Sequence, residues 1–186
     1  LVRCRLRQGD RPGALVAARS GLAAAPKEPG LALVVADLAP ADAARVLRDA
    51  LARVPDEPRL HEAAGKLALA SGDAGSALKA AHAALQLDPT SVEAARLSAL
   101  SREVLGGTLD VAGSTALQDA MSRGPVDPGR TLAALRTVAT KYPRSASAQL
   151  ALGSAKQAAG DATALADLAR AAELDPRSPA ATRAAG

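Results

Sequence analysis

Residues 55–89 read PDEPRLHEAAGKLALASGDAGSALKAAHAALQLDP, and residues 143–176 read PRSASAQLALGSAKQAAGDATALADLARAAELDP. In the two stretches Gly65, Gly72-Asp73, Ala77, Ala84 and Leu87-Asp88-Pro89 answer to Gly153, Gly160-Asp161, Ala164, Ala171 and Leu174-Asp175-Pro176. A third, partial copy carries Gly9-Asp10, Ala14, Gly21 and Pro26. Pro55 and Pro89 stand 34 positions apart, Pro143 and Pro176 stand 33 apart, and Pro26 and Pro55 only 29. A fixed period of this kind marks a repeat protein, in which each unit buries its apolar face only against its neighbours.

Each marker has a physical role. Glycine accepts the left-handed backbone that follows a helix, and the aspartate after it caps the free N–H groups of the next helix, so each Gly-Asp pair predicts the turn of a helical hairpin. Gly65 and Gly153 fall where the first helix meets the second and let the two axes approach. Proline disfavours helical geometry in the residue before it and closes the second helix.

Apolar spacing and caps predict helices over about 1–8 and 11–25, 29–38 and 41–54, and 58–71 and 74–87. Thr90-Ser91-Val92-Glu93 reads as a capping box for a helix running to about 105, with Thr90 and Glu93 satisfying each other's backbone donors. Gly106-Gly107 stops that helix. A short helix over 114–123 and another over 128–141, capped by Asp127-Pro128, make one helix more than the period requires, and which of the two is the extra one stays open. A pair over 146–159 and 161–174 follows, and Ser178-Pro179 opens a helix that is cut short. The expected division is a single array: a partial repeat 1–26, a short repeat 27–55, repeats 56–89, 90–143 (with an insertion at about 106–130) and 144–176, and the start of another at 177–186. Leu1 falls inside a repeat, so the chain reads as a portion of a longer one.

Composition agrees with thin, closely stacked helices. Hydrophobic residues make up 48% of the chain but aromatics only 1%, because alanine supplies about a quarter and Phe and Trp are absent. Alanine is the best helix former and permits close axes; runs of β-branched and aromatic residues that would argue for strands are missing. The formal charge is +4, with acids interspersed among the arginines. The excess of arginine over lysine, with so much alanine, suggests a bacterial source.

The 33–34-residue hairpin pattern resembles the tetratricopeptide repeat (TPR) family, strongly at 56–89 and 144–176 and weakly at 27–55 and 106–130. The large aromatics usual in that family are missing: His61 stands at the usual tryptophan, and Ala68 and Ala81 at usual aromatic sites. The resemblance implies an all-α fold, a right-handed superhelical solenoid of antiparallel hairpins with about 10–11 helices. Lys141-Tyr142-Pro143-Arg144-Ser145 is similar to repeat ends in bacterial cell-envelope members, which leans the expected compartment toward the periplasm or envelope.

Motifs for chemistry fail one by one. His61-Glu62-Ala63-Ala64-Gly65 starts like a helical zinc signature, but glycine stands where the second histidine must project, and one cysteine, Cys4, builds no multi-cysteine site. Cys4 reads as a small core thiol. Ser76-Ala77-Leu78-Lys79 matches Ser-x-x-Lys without its partner motifs. No phosphate loop or nucleophile elbow occurs, so no catalytic, metal or cofactor-binding residue is assigned and no cofactor is expected. Arg3, Arg5, Arg7 and Arg11 form the one local basic cluster, but stacking aromatics apart from Tyr142 are absent, which argues against nucleic acid. No apolar run approaches the roughly 18 residues that span a bilayer, so membrane contact is not expected of this segment.

The resemblance implies a concave wall built from the first helix of each hairpin and a role in binding a protein partner, either an extended peptide or a helix, without catalysis. It places on that wall Arg59, Glu62, Lys66 and Leu69, then Arg96, Leu100 and Glu103, then Leu150, Ser154 and Gln157. The chain has no asparagine, so the lysine-and-asparagine clamp that some members close on a C-terminal carboxylate is not expected. The insertion 106–130 is a second candidate surface, whose removal over 108–124 is expected to spare folding and abolish partner capture. The alternative role is a structural spacer among further repeats of a larger envelope protein.

Overall fold

A computed structural model describes residues 1–124, 126–176 and 178. Every regular element among them is a helix: α1 (Val2–Arg7), α2 (Arg11–Ala24), α3 (Pro29–Leu38), α4 (Pro40–Arg53), α5 (Pro58–Ala70), α6 (Ala74–Leu87), α7 (Val92–Leu105), α8 (Val111–Arg123), α9 (Pro128–Lys141), α10 (Ala146–Ala158) and α11 (Ala164–Leu174). The chain divides into two compact units, Leu1–Ser98 and Ala99–Gly186, with the division falling inside α7. The helix expected from Ser178-Pro179 onward lies outside the described residues.

The turns follow the local chemistry. Gly9, Gly72, Gly107 and Gly160 adopt φ between 71 and 89°, the left-handed region that costs a side chain but not glycine. Asp10 and Asp73 then cap the next helix by accepting from the backbone N–H of Gly13 and Ser76 at 2.8 and 2.9 Å. That bond to Ser76 accounts for the Ser-x-x-Lys match, which is a helix start. Each second helix ends on a residue before proline: Ala25, Val54, Asp88, Tyr142 and Asp175 all have φ between −138 and −122° and ψ between 68 and 91°, outside the helical well. The same device shortens the second repeat. Ala39 alone separates α3 from α4, because it precedes Pro40, leaves the helical well, and gives way at once to that proline as the first residue of α4.

In unit 1 each helix packs on the next from α1 to α6, and α3 also touches α5. Alanine makes this possible: Ala14, Ala18, Ala32, Ala77, Ala81 and Ala84 are completely buried, and the largest fully buried side chains are leucines such as Leu60 and Leu69. Gly65 is part of the same economy of volume. A Cβ there would sit 2.5 Å from Leu97 Cδ2 and 3.2 Å from Ala80 Cβ, so the helix takes the propensity penalty of glycine to keep α6 and Leu97 close.

In unit 2, α8 packs on α9, α9 on α10 and α10 on α11, and α8 touches α10 as α3 touches α5 in unit 1. The stretch 106–130, read from sequence as a removable surface insertion, therefore supplies core. Leu117 is 1% exposed, and Ser114 and Ala120 are buried with it. Its helix begins at Val111 rather than 114, because Asp110 accepts from Gly113 N–H at 2.6 Å. The lone aromatic, Tyr142, ties α8 to the end of α9: its hydroxyl donates to Asp110 Oδ1 at 2.6 Å, and its ring fills the space a Cβ on Gly113 would need. Removing 108–124 would thus expose the cores of α9 and α10.

Three local expectations are corrected. The cap of α7 is Ser91, whose Oγ accepts from Ala94 N–H at 3.1 Å, whereas Thr90 donates its hydroxyl to Asp88 and Glu93 turns to basic side chains. The final hairpin spends Asp161 on the turn, where it accepts from Thr163 N–H and Oγ1, and α11 starts three residues later at Ala164. Cys4 is exposed, on a six-residue helix with no buried residue.

The turn aspartates share an electrostatic consequence. Backbone N–H of Gly13, then Arg5, holds Asp10 below its ordinary value of 3.8; the hydroxyl and N–H of Ser76 do so for Asp73, the Tyr142 hydroxyl and Gly113 N–H for Asp110, and the N–H and hydroxyl of Thr163 for Asp161. A carboxylate with a depressed folded-state pKa contributes stability that is complete above the unfolded value and is lost as pH falls through the folded one. The melting temperature, followed by circular dichroism, is therefore expected to hold from neutral pH to about 5 and to drop steadily below about 4. A curve flat to pH 2 would contradict the caps.

Candidate interaction surface

Along α5, positions 59, 62 and 66 fall on one face, since residues three and four apart are helix neighbours. The N-terminal part of α7 meets that face through a polar seam. Ser91 Oγ donates to Glu62 Oε1 at 2.5 Å, and Lys66 Nζ pairs with Glu93 Oε1 at 2.6 Å. Arg96 pairs with the other oxygen of Glu93. Burial raises the Glu93 pKa, but the hydrogen bonds from Arg96 and Lys66 together outweigh it, and the carboxyl lies below its ordinary 4.5. The seam is half-exposed: side-chain exposure is 45% for Lys66, 28% for Glu93 and 31% for Arg96. Arg59, one turn before Glu62, is exposed, and its guanidinium has no carboxylate partner among the described residues.

The structure thus brings together four of the ten candidate residues, Arg59, Glu62, Lys66 and Arg96, in unit 1. It adds Ser91 and Glu93, which join α7 to α5; the sequence motif gives Glu93 a local capping role with Thr90 and gives Ser91 none. Nothing in the sequence alone pairs a residue with another some thirty positions away.

Leu69 and Leu100, expected on the wall, are 0% and 1% exposed and belong to the core, because their helix face turns toward neighbours. Glu103 is spent on structure in unit 2. Its Oε1 accepts from the N–H and Oγ of Ser147 at 2.8 and 2.7 Å, and its Oε2 from the hydroxyl of Ser145, so a carboxylate from α7 caps the start of α10. In the same unit Ser154 and Gln157 are exposed and Leu150 half-buried along α10, a weakly polar stripe.

The remaining sequence candidates resolve as structure. His61 Nε2 lies 2.7 Å from the carbonyl oxygen of Pro55. Among the described residues no group of three or more His, Cys, Asp and Glu side chains gathers as metal ligands would, and no helix is long and apolar enough to cross a membrane. Of the basic cluster, Arg5 pairs with Asp10 at 2.7 Å and Arg11 lies 3.9 Å from Asp37.

No protein-family model matches the chain, and no curated protein matches it in sequence. Solved structures do match it. The crystal structure of MamA protein is 16% identical, with 95% of this chain and 88% of that chain covered and a TM-score of 0.54. A tetratricopeptide repeat protein from Parabacteroides merdae is 19% identical over 100% of this chain and 80% of that one, with a TM-score of 0.53. YrrB, described as a TPR protein with an unusual peptide-binding site, is 15% identical over 98% and 87%, with a TM-score of 0.50. At these identities the likeness concerns the backbone, and it agrees with the glycine, aspartate and proline pattern of the hairpins: the chain has the tetratricopeptide-repeat fold.

Proposed function

We propose that this chain is a non-catalytic scaffold that holds a segment of a partner protein, and that in unit 1 the segment lies along the α5–α7 seam. The observation that carries this reading is the half-exposed seam in which Lys66 and Arg96 hold Glu93 and Ser91 holds Glu62, with the exposed Arg59 one turn before Glu62 on the same helix. Such a surface recognises a peptide or helix that offers acids opposite Arg59 and hydrogen-bonding groups along the seam. A hydrogen bond to a charged group contributes roughly 1.5–3 kcal/mol, so a few suffice for a reversible complex. The peptide-binding site named for YrrB lends support by likeness of fold alone.

Arg59→Glu combined with Lys66→Glu is expected to reduce recovery of the bound partner, measured by quantitative pull-down, at least tenfold while leaving the melting temperature within about 3 °C of the parent. Recovery that persists unchanged would remove the seam as the site. Recovery that vanishes only when neighbouring helices are deleted would favour the spacer reading.

A further inference from the structure

A second surface lies apart from this seam. α2, α3 and α4 enclose an open cleft of about 390 Å³, within the roughly 300–1,000 Å³ of sites that take small groups. Its lining combines apolar side chains, Leu22, Val35 and Val46, with the guanidinium groups of Arg19, Arg45 and Arg53; Asp49 is the one carboxylate among the lining residues. Small residues keep it open: Ala23 and Ala50 line it where longer side chains would fill it.

The arginines are oriented but not exhausted. Arg19 donates to Asp42 at 2.6 Å and Arg45 to the same carboxylate at 3.1 Å, and Arg53 donates to the carbonyl oxygen of Asp49 at 2.8 Å. Arg45 also lies 4.0 Å from the Asp49 carboxylate, but each guanidinium has five N–H donors, so these contacts fix the groups and leave other donors for an anion. Side-chain exposure of 53% for Arg19 and 63% for Arg45 keeps those donors accessible. Arg45 and Arg53 are eight residues apart on α4, about 12 Å along the axis at 1.5 Å per residue. One carboxylate cannot serve both; a chain carrying several carboxylates can.

We infer that the cleft between α2 and α4 is a second docking site, and that its occupant is a short acidic peptide segment with one or two aliphatic side chains between its carboxylates. Charge complementarity selects the acids and the apolar lining selects the aliphatic groups. The site is independent of the α5–α7 seam, and the two stand or fall separately.

The test is fluorescence polarisation with the whole chain and a fluorescein-labelled peptide, Gly-Glu-Leu-Leu-Glu-Glu-Gly, against a control with both leucines replaced by serine. The expected result is saturable binding of the leucine peptide, on the order of tenfold tighter than the serine control and weaker at higher salt. Arg53→Glu should lower affinity at least tenfold, and Ala23→Trp, a filling change at an exposed lining position, should do the same with circular dichroism unchanged. Arg144→Glu, a charge reversal at an exposed position outside both surfaces, should leave this binding unaltered. Equal binding of the two peptides, equal binding by the Ala23→Trp variant, or uptake of decanoate without the peptide would each overturn the assignment.

Discussion

Replacing Glu103 with alanine is expected to lower the melting temperature by about 6–12 °C, the effect of losing roughly 3 kcal/mol at 2–4 °C per kcal/mol for a chain of this size. The estimate rests on what the carboxylate does at the start of α10. It accepts from one backbone N–H and from two serine hydroxyls, Ser145 and Ser147, across more than forty residues of sequence. Ser145 is itself completely buried and caps the helix through its bond to Ala148 N–H. Without Glu103 the Ser145 hydroxyl loses its acceptor inside the protein, and an unsatisfied buried polar group costs about 1–3 kcal/mol by itself. Loss of a charge at the positive end of a helix adds a smaller amount. Glu103→Gln keeps an acceptor oxygen without the charge and should recover about half the loss. Calorimetry on the three proteins checks the order alanine, glutamine, parent. A variant that melts like the parent yet fails to capture a partner would return Glu103 to the binding surface.

The second large effect is at Gly153. Its Cβ position lies 2.7 Å from Leu168 Cδ2 and 3.1 Å from the Leu168 backbone nitrogen, in the contact between α10 and α11. Leu168 is fully buried and has no room to withdraw. Alanine gains about 1 kcal/mol of helix propensity over glycine but is expected to lose about 1–3 through the clash, for a small net destabilisation. Valine adds two methyl groups to the same gap and should cost about 3 kcal/mol or more, visible as a shifted urea midpoint. The diagnostic experiment pairs Gly153→Ala with Leu168→Ala. Leu168→Ala alone should cost about 2–5 kcal/mol by opening a cavity, and the added methyl of the double variant fills part of it, so the pair should lose less than the sum of the two. Strict additivity would mean that glycine is not there to admit Leu168.

The legible parts of this molecule are those decided within a few residues. Gly9, Gly72 and Gly160 announce their turns because only a residue without Cβ tolerates a positive φ cheaply, and Asp10 and Asp73 announce caps because their acceptors lie three residues on. Gly107 with Asp110 carries a stretched version of the same signal, which places the start of α8 three residues earlier than apolar spacing does. Where two local readings compete, sequence misleads: Glu93 suits a capping box, but Lys66 and Arg96 outbid the backbone N–H for its carboxylate.

The sequence by itself therefore determined that the chain is helical, where its hairpins turn and which small residues allow close axes, because propensity, capping and proline sterics act over one or two turns. Tertiary structure alone decided which polar groups remain at the surface. Glu103 disappears into the cap of α10, Leu69 and Leu100 into the core, and the arginines of α2 and α4 come to share a cleft. These outcomes depend on which helix faces meet, and with alanine on nearly every face, apolar periodicity does not say which side turns inward.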